Sequence, residues 1–216
     1  MYIYYPSCNF QKLFPEAAGR IRGWMKTRRD VVVAGCCHSA YTLPEEGDTI
    51  LTVCMSCGHI LAELRPEIPR KNLLEYLLDQ PDFAWPDLGG EAVTLQDCFR
   101  ARGSHALHKA ARECLRRMNA EVVEMPRNRD EEEFDGSFRL HEPYPQNMKE
   151  APRYFAAYLP QYVTPVPEAQ WPALFREHAA SYATRRVACY CSTCTTAARE
   201  GGAVAVHMAE LAFSAG

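Results

Sequence analysis

The stretch DTILTVCMSC, residues 48–57, decides the fold of this 216-residue chain. It joins a short apolar, β-branched run to the thiol pair Cys54 and Cys57. Such a run is typical of a buried strand in a parallel sheet, so the pair falls at the strand's carboxyl end. Sites in open α/β sheets form at that edge. The stretch therefore predicts an α/β fold with a thiol site at the carboxyl ends of its strands.

Two more runs in the first quarter of the chain end in the same way. Cys8 follows the run at residues 1–6, and the adjacent pair Cys36 and Cys37 follows the run at residues 30–35. Because the carboxyl ends of parallel strands meet at one edge, we expect five thiols to converge. The candidate ligands of this first site are Cys8, Cys36, Cys37, Cys54 and Cys57.

The sequence RVACYCSTC, residues 186–194, repeats the plan of strand and thiol pair. After each pair come a short predicted helix and then an apolar helix that carries a glutamate. An internal repeat fixes the architecture, and strands that alternate with helices predict mainly parallel sheets. We therefore expect two cysteine-rich units, residues 1–80 and 91–216, joined by the Pro/Gly-rich linker at residues 79–90.

The second unit has a less complete site. Its predicted strand at residues 91–95 leads to Cys98, but its loop at residues 134–138 holds no cysteine pair. The remaining thiols and a nearby carboxylate form a mixed ligand set, which leaves three possibilities open for this site: zinc, an altered cluster or no occupant. The segment at residues 141–170 has no counterpart in the first unit, which predicts a lid or a cover over a sheet edge. The possible ligands of the second site are Cys98, Cys189, Cys191, Cys194 and Asp135.

Composition narrows the class of protein. The net charge of −3 does not favour nucleic acid, and no apolar run has the length of a membrane span. The amino-terminal residues lack the basic segment and apolar core of a secretory signal, so we expect a cytoplasmic protein. Thiols stay reduced there, and ten cysteines then indicate metal binding or redox chemistry rather than disulfides.

The first site has more thiols than a single zinc ion needs. A tetrahedral zinc takes four ligands, whereas five cysteines converge here, and the adjacent Cys36 and Cys37 diverge along an extended chain. This favours a multi-iron centre, with zinc as the main competitor and buried structural thiols as the plainest alternative. His38 and His59 flank the thiols, either to tune a centre or as structural histidines. Cys114 lies on the apolar stripe of a predicted helix and is assigned to the core.

The order of Cys8, the pair Cys36–Cys37 and the pair Cys54–Cys57, within a tandem repeat, resembles the heterodisulfide reductase B-like family of cysteine-rich (Cys-Cys-Gly) domains. Similar cysteine-rich chains occur in lactate, glycolate and glycerol-3-phosphate oxidising complexes. The resemblance implies that these five cysteines hold a non-cubane 4Fe-4S cluster. It also implies reduction of a small disulfide, with electrons from a flavin- or ferredoxin-type partner subunit.

The sequence therefore predicts an iron–sulfur oxidoreductase, or a subunit of one, that acts on a sulfur group. It has neither the closely spaced cysteine run of a ferredoxin nor a Gly-x-Gly-x-x-Gly motif, so a partner must supply the electrons. Two alternatives stay open. One is a non-catalytic zinc-binding scaffold subunit, and the other is a metal-free thiol–disulfide oxidoreductase that uses one of the two Cys-x-x-Cys pairs.

Overall fold

A computed structural model describes residues 1–38 and 44–214. It contains two four-stranded sheets in which every pairing is parallel, with strand orders β2-β1-β3-β4 and β6-β5-β7-β8. The predicted α/β fold with two pseudo-repeated units is confirmed. The strands are β1 (Tyr2–Tyr5), β2 (Val31–Val33), β3 (Thr49–Thr52) and β4 (Arg70–Asn72) in the first unit, and β5 (Ala92–Gln96), β6 (Glu121–Glu124), β7 (Arg186–Cys189) and β8 (Val204–His207) in the second.

The register of the central strands aligns the two units residue by residue. Thr52 lies opposite Tyr5 at the end of β3, and Cys189 lies opposite Gln96 at the end of β7. Thr52 and Cys189 are therefore equivalent positions. The first cysteine of each Cys-x-x-Cys pair follows two residues later, so both pairs leave their sheet at the same point.

Helices follow the strands in both units, as expected for parallel connections. No helix within the described residues is both long and apolar enough to cross a membrane. The α-helices are α1 (Cys8–Leu13), α2 (Pro15–Thr27), α3 (Met55–Leu64), α4 (Leu73–Leu78), α5 (His105–Arg117), α6 (Pro145–Glu150), α7 (Trp171–Ala179), α8 (Ser192–Glu200) and α9 (Met208–Ala212). A π-helical turn spans Arg153–Tyr158, and 3-10 turns span Phe99–Ala101, Arg129–Glu131, Leu159–Tyr162 and Glu168–Gln170.

The last strand of each unit runs directly into a capped helix. Asn72 Oδ1 accepts a hydrogen bond from Leu74 N–H at 3.0 Å, and His207 Nδ1 accepts one from Ala209 N–H at 3.2 Å. In each unit a glutamate completes the capping box, because its side chain accepts a hydrogen bond from the backbone N–H of the capping residue. Asn72 and His207 thus cap the helices that follow them in the same way, at equivalent positions.

The two units join through reciprocal helix contacts. α4 packs on α5, and α9 packs on α2. Since α4 corresponds to α9 and α2 to α5, the same surface is used twice, as in a two-fold dimer interface. One hydrophobic core runs through both sheets and includes Cys114, whose Sγ lies 3.6 Å from the Leu74 carbonyl oxygen. Its predicted place in the core is confirmed.

The inserted segment at residues 141–170 packs on the first unit. Its α6 contacts α3, and Phe155 and Leu159 share a buried cluster with Ile60 and Leu61 of α3. The insertion therefore covers a helix of the first unit and forms one wall of the cavity described below.

Candidate functional site

The five cysteines predicted for the first site lie together at the carboxyl end of the first sheet. Cys37 Sγ is 3.2 Å from Cys57 Sγ, and Cys57 is also hydrogen-bonded to Cys54. Cys36 interacts with Cys37 on one side and with Cys8 on the other. The thiols form one continuous series, Cys8–Cys36–Cys37–Cys57–Cys54.

Exposure is highest at Cys8 and lowest in the middle of this series. Cys8 is exposed, Cys36 and Cys54 are half-buried, and Cys37 and Cys57 are buried. A cavity of about 270 Å³ opens over them. It is lined by four of the five thiols (Cys8, Cys37, Cys54 and Cys57), by both Cys-x-x-Cys loops, and by the inserted segment through His141, Tyr144 and Asn147. The series is therefore reachable by a small molecule at Cys8 and is most enclosed by protein at Cys37 and Cys57.

Three of the second-site candidates form a compact triad. The Sγ atoms of Cys98, Cys191 and Cys194 all lie within 4.8 Å of one another, and all three residues are buried. Thiolates at this spacing are suitable ligands for a soft or borderline metal ion. The triad could hold a metal ion.

The other two second-site candidates lie outside the triad. Cys189 ends β7, two residues before Cys191, which places it about 6.6 Å back along an extended strand. Its thiol is hydrogen-bonded to Thr195. Asp135 accepts a hydrogen bond from Arg139 Nε at 3.1 Å, and burial raises the pKa of its carboxyl group to about 6. The structure thus groups three of the five residues.

The loop at residues 134–138 presses directly on the second Cys-x-x-Cys pair. Gly136 has φ of 72°, and a Cβ at this residue would lie 2.2 Å from the Thr193 carbonyl oxygen. The Thr193 hydroxyl donates to the Asp135 carbonyl oxygen at 2.9 Å. Only glycine fits this close approach, so the loop that lacks the cysteine pair fills the space beside the triad with backbone.

Arg100, which the sequence analysis did not single out, connects the two thiol sites. It is 5% exposed and follows Cys98 in a 3-10 turn. Its Nη1 donates to Ser56 Oγ at 2.9 Å, and its Nη2 donates to Cys191 Sγ at 3.0 Å and Thr193 Oγ1 at 2.9 Å. Ser56 and Thr193 are equivalent residues of the two Cys-x-x-Cys loops. No spacing rule would have found this contact, because it depends on how the units pack.

The two Cys-x-x-Cys pairs share an electrostatic pattern. Hydrogen bonding from Cys57 lowers the pKa of Cys54 to about 6, against burial, and the Arg100 charge acts in the same direction. Burial opposes ionisation of Cys191 as well, but hydrogen bonds from Cys194 and Cys98 and the Arg100 charge hold its pKa well below the ordinary value. In each pair the first cysteine therefore has the lower pKa, and Arg100 lies between the two.

The two flanking histidines have protein partners of their own. His38 Nδ1 pairs with Glu150 Oε2 of α6, and His38 lines the cavity. His59 Nε2 lies 3.1 Å from the Arg100 carbonyl oxygen, and its ring stacks on Tyr154 at 3.4 Å. His59 therefore holds the Arg100 turn and the inserted segment in place, which is a structural role.

Comparison with protein-family models, curated proteins and solved structures gives no match for this chain.

Proposed function

We propose that the chain is an iron–sulfur redox protein, or a subunit of one, in which Cys8, Cys36, Cys37, Cys54 and Cys57 hold a multi-iron cluster of the non-cubane 4Fe-4S type. The observation that carries the proposal is the continuous series of five thiols that opens into a cavity. A four-ligand zinc site would leave one of these thiols without a role, whereas a larger cluster can use all five. The resemblance to the heterodisulfide reductase B-like family points to the same cluster.

The cavity suggests what the centre acts on. Its volume of about 270 Å³ suits a small thiol or disulfide better than a protein segment. Arg100 forms part of the cavity wall, and Tyr144 and Asn147 of the inserted segment supply hydroxyl and amide groups to it. These groups would position a polar substrate, and the Arg100 charge would favour a product thiolate. The bound cluster would supply electron transfer.

Reduction of one disulfide consumes two electrons and two protons and releases two thiols. The chain has no nucleotide motif to accept a hydride. Electrons would therefore come from a flavin- or ferredoxin-type partner in a reducing, cytoplasmic setting.

The triad Cys98, Cys191 and Cys194 favours a different role for the second site. Three thiolates, one divalent cation and the Arg100 guanidinium sum to zero charge, which suits a buried site. We propose that this triad holds a single zinc ion, with its fourth position left to a ligand other than these three thiols, and not a second cluster.

Cysteine variants test the proposal. Cys36→Ser or Cys8→Ser should lower the iron content of anaerobically purified protein by more than about half, because a hydroxyl poorly replaces a soft thiolate. Cys114→Ala is the control, since this thiol packs in the core and belongs to neither site. Reoxidation of the chemically reduced protein by a small disulfide should be lost with the iron. Iron contents equal to the control in both variants would refute the ligand assignment.

A further inference from the structure

A third cluster of metal-ligating side chains lies at the start of α5 and contains no cysteine. His105 and His108 are three residues apart on this helix, and Asp130 reaches them from the 3-10 turn at Arg129–Glu131. Their potential ligand atoms all lie within 4.8 Å of one another. Neither thiol site includes any of these residues.

The distances are close to those of a metal site. His105 Nδ1 lies 3.4 Å from Asp130 Oδ2, and His108 Nδ1 lies 3.9 Å from Asp130 Oδ1. Two ligand atoms bound to one tetrahedral zinc ion lie about 3.3 Å apart. A small inward shift of the exposed His105 ring would bring the three groups onto one ion.

His108 is the observation that points to a ligand. The residue is 1% exposed, and neither ring nitrogen has a hydrogen-bond partner among the described residues. A buried polar atom left without a partner costs about 1–3 kcal/mol. Its Nδ1 faces Asp130 at a distance too long for a hydrogen bond but suitable for an ion between them.

The neighbouring charged residues leave the Asp130 carboxylate available as a metal ligand. The guanidinium of Arg112, the nearest buried cation, is engaged by Asp97 and Glu124. One oxygen of Asp130 accepts from Gly103 N–H at 2.8 Å, which fixes the orientation of the carboxylate. The other oxygen faces His105, whose side chain is 71% exposed.

We propose that His105, His108 and Asp130 form a binding site for a first-row divalent cation such as Zn²⁺, independent of the thiol centres. Two imidazoles and one carboxylate are a donor set that zinc accepts, with a fourth position open to solvent. The ion would tie the 3-10 turn to the first turn of α5. It would also satisfy one of the two unpartnered nitrogens of His108.

Cobalt titration of the anaerobically purified protein, with its thiol centres as isolated, tests this site. Co²⁺ should bind with visible ligand-field bands and without a sulfur-to-cobalt charge-transfer band, and Zn²⁺ should displace it. His105→Gln and Asp130→Asn should each weaken binding by more than about tenfold. The His105 side chain is 71% exposed and that of Asp130 is 44% exposed, and Asn keeps an oxygen for Gly103, so neither variant threatens the fold.

Two controls separate this site from adventitious binding. Glu131→Gln removes the neighbouring exposed carboxylate of the same turn and should bind Co²⁺ like the wild type. Cys37→Ser should also bind Co²⁺ at this site, so the result of the titration does not depend on the iron–sulfur proposal. Equal affinity in His105→Gln, Asp130→Asn and the wild type, or only sulfur-bound cobalt, would overturn the proposal.

Discussion

Replacing His207 with Asn should remove an acid-sensitive contribution to stability while it keeps the cap of α9. The equivalent residue in the first unit is Asn72, which caps α4 in the same way. His207 is 1% exposed, and burial lowers its pKa to about 4. An unfolded histidine titrates near 6.5.

The sign and size of the effect follow from these two pKa values. Between about pH 6.5 and pH 4 the unfolded chain binds a proton at this residue and the folded protein does not, so the free energy of unfolding falls as the pH falls. From pH 7.5 to pH 5.0 the expected loss is about 2 kcal/mol. The Asn side chain does not titrate and should not show this loss.

Asn also removes ring contacts at 4.8 Å to Phe10 and 5.2 Å to Phe14. This should lower stability by about 1–2 kcal/mol at every pH. The variant should therefore be the less stable protein at pH 7.5 and about equal to the wild type at pH 5.0.

Urea unfolding of both proteins at the two pH values, at matched metal content, measures the difference. Other titrating groups cancel in the comparison. If the two stability curves stay parallel from pH 7.5 to pH 5.0, then His207 does not remain neutral in the folded protein and the reasoning is wrong.

Three further substitutions probe the second site. Cys191→Ser should release the metal of the triad and leave the iron content unchanged, which metal analysis of the purified variant would check; loss of all iron would contradict the assignment. Arg100→Met should destabilise the protein by about 3 kcal/mol in urea unfolding, because it leaves a buried thiolate without its counter-charge; an unchanged midpoint would show that Arg100 does not compensate Cys191. Gly136→Ala should cost more than about 2 kcal/mol, since the new Cβ meets the Thr193 carbonyl in a backbone conformation with positive φ; thermal unfolding close to that of the wild type would mean that the loop moves freely.

The strands that carry the thiols were predictable because each is a short run of apolar residues that is followed by one or two cysteines. The last strand of the first unit, Arg70–Asn72, was not predicted, since an edge strand of polar residues has no hydrophobic pattern. Its equivalent, Val204–His207, does have such a pattern in its run of valine and alanine. The structure shows that both strands have the same place in their sheets.

The parts of the sites that depend on packing between the units could not be predicted from spacing. Arg100 reaches Ser56 and Cys191 only because the two units join through reciprocal helix contacts. His108 and Asp130 are 22 positions apart, and nothing in the sequence pairs them. Asp135 is a possible oxygen ligand by sequence, and in the structure its carboxylate pairs with Arg139.

The central claim is that the five thiols of the first unit hold a multi-iron cluster. Anaerobic purification followed by iron, acid-labile sulfide and zinc analysis, on wild type and on Cys37→Ser, tests it most directly. We expect about four iron and four sulfide per wild-type chain. Most of both should be lost in Cys37→Ser. Stoichiometric zinc without iron in the wild type, or an iron content that Cys37→Ser does not change, would contradict it.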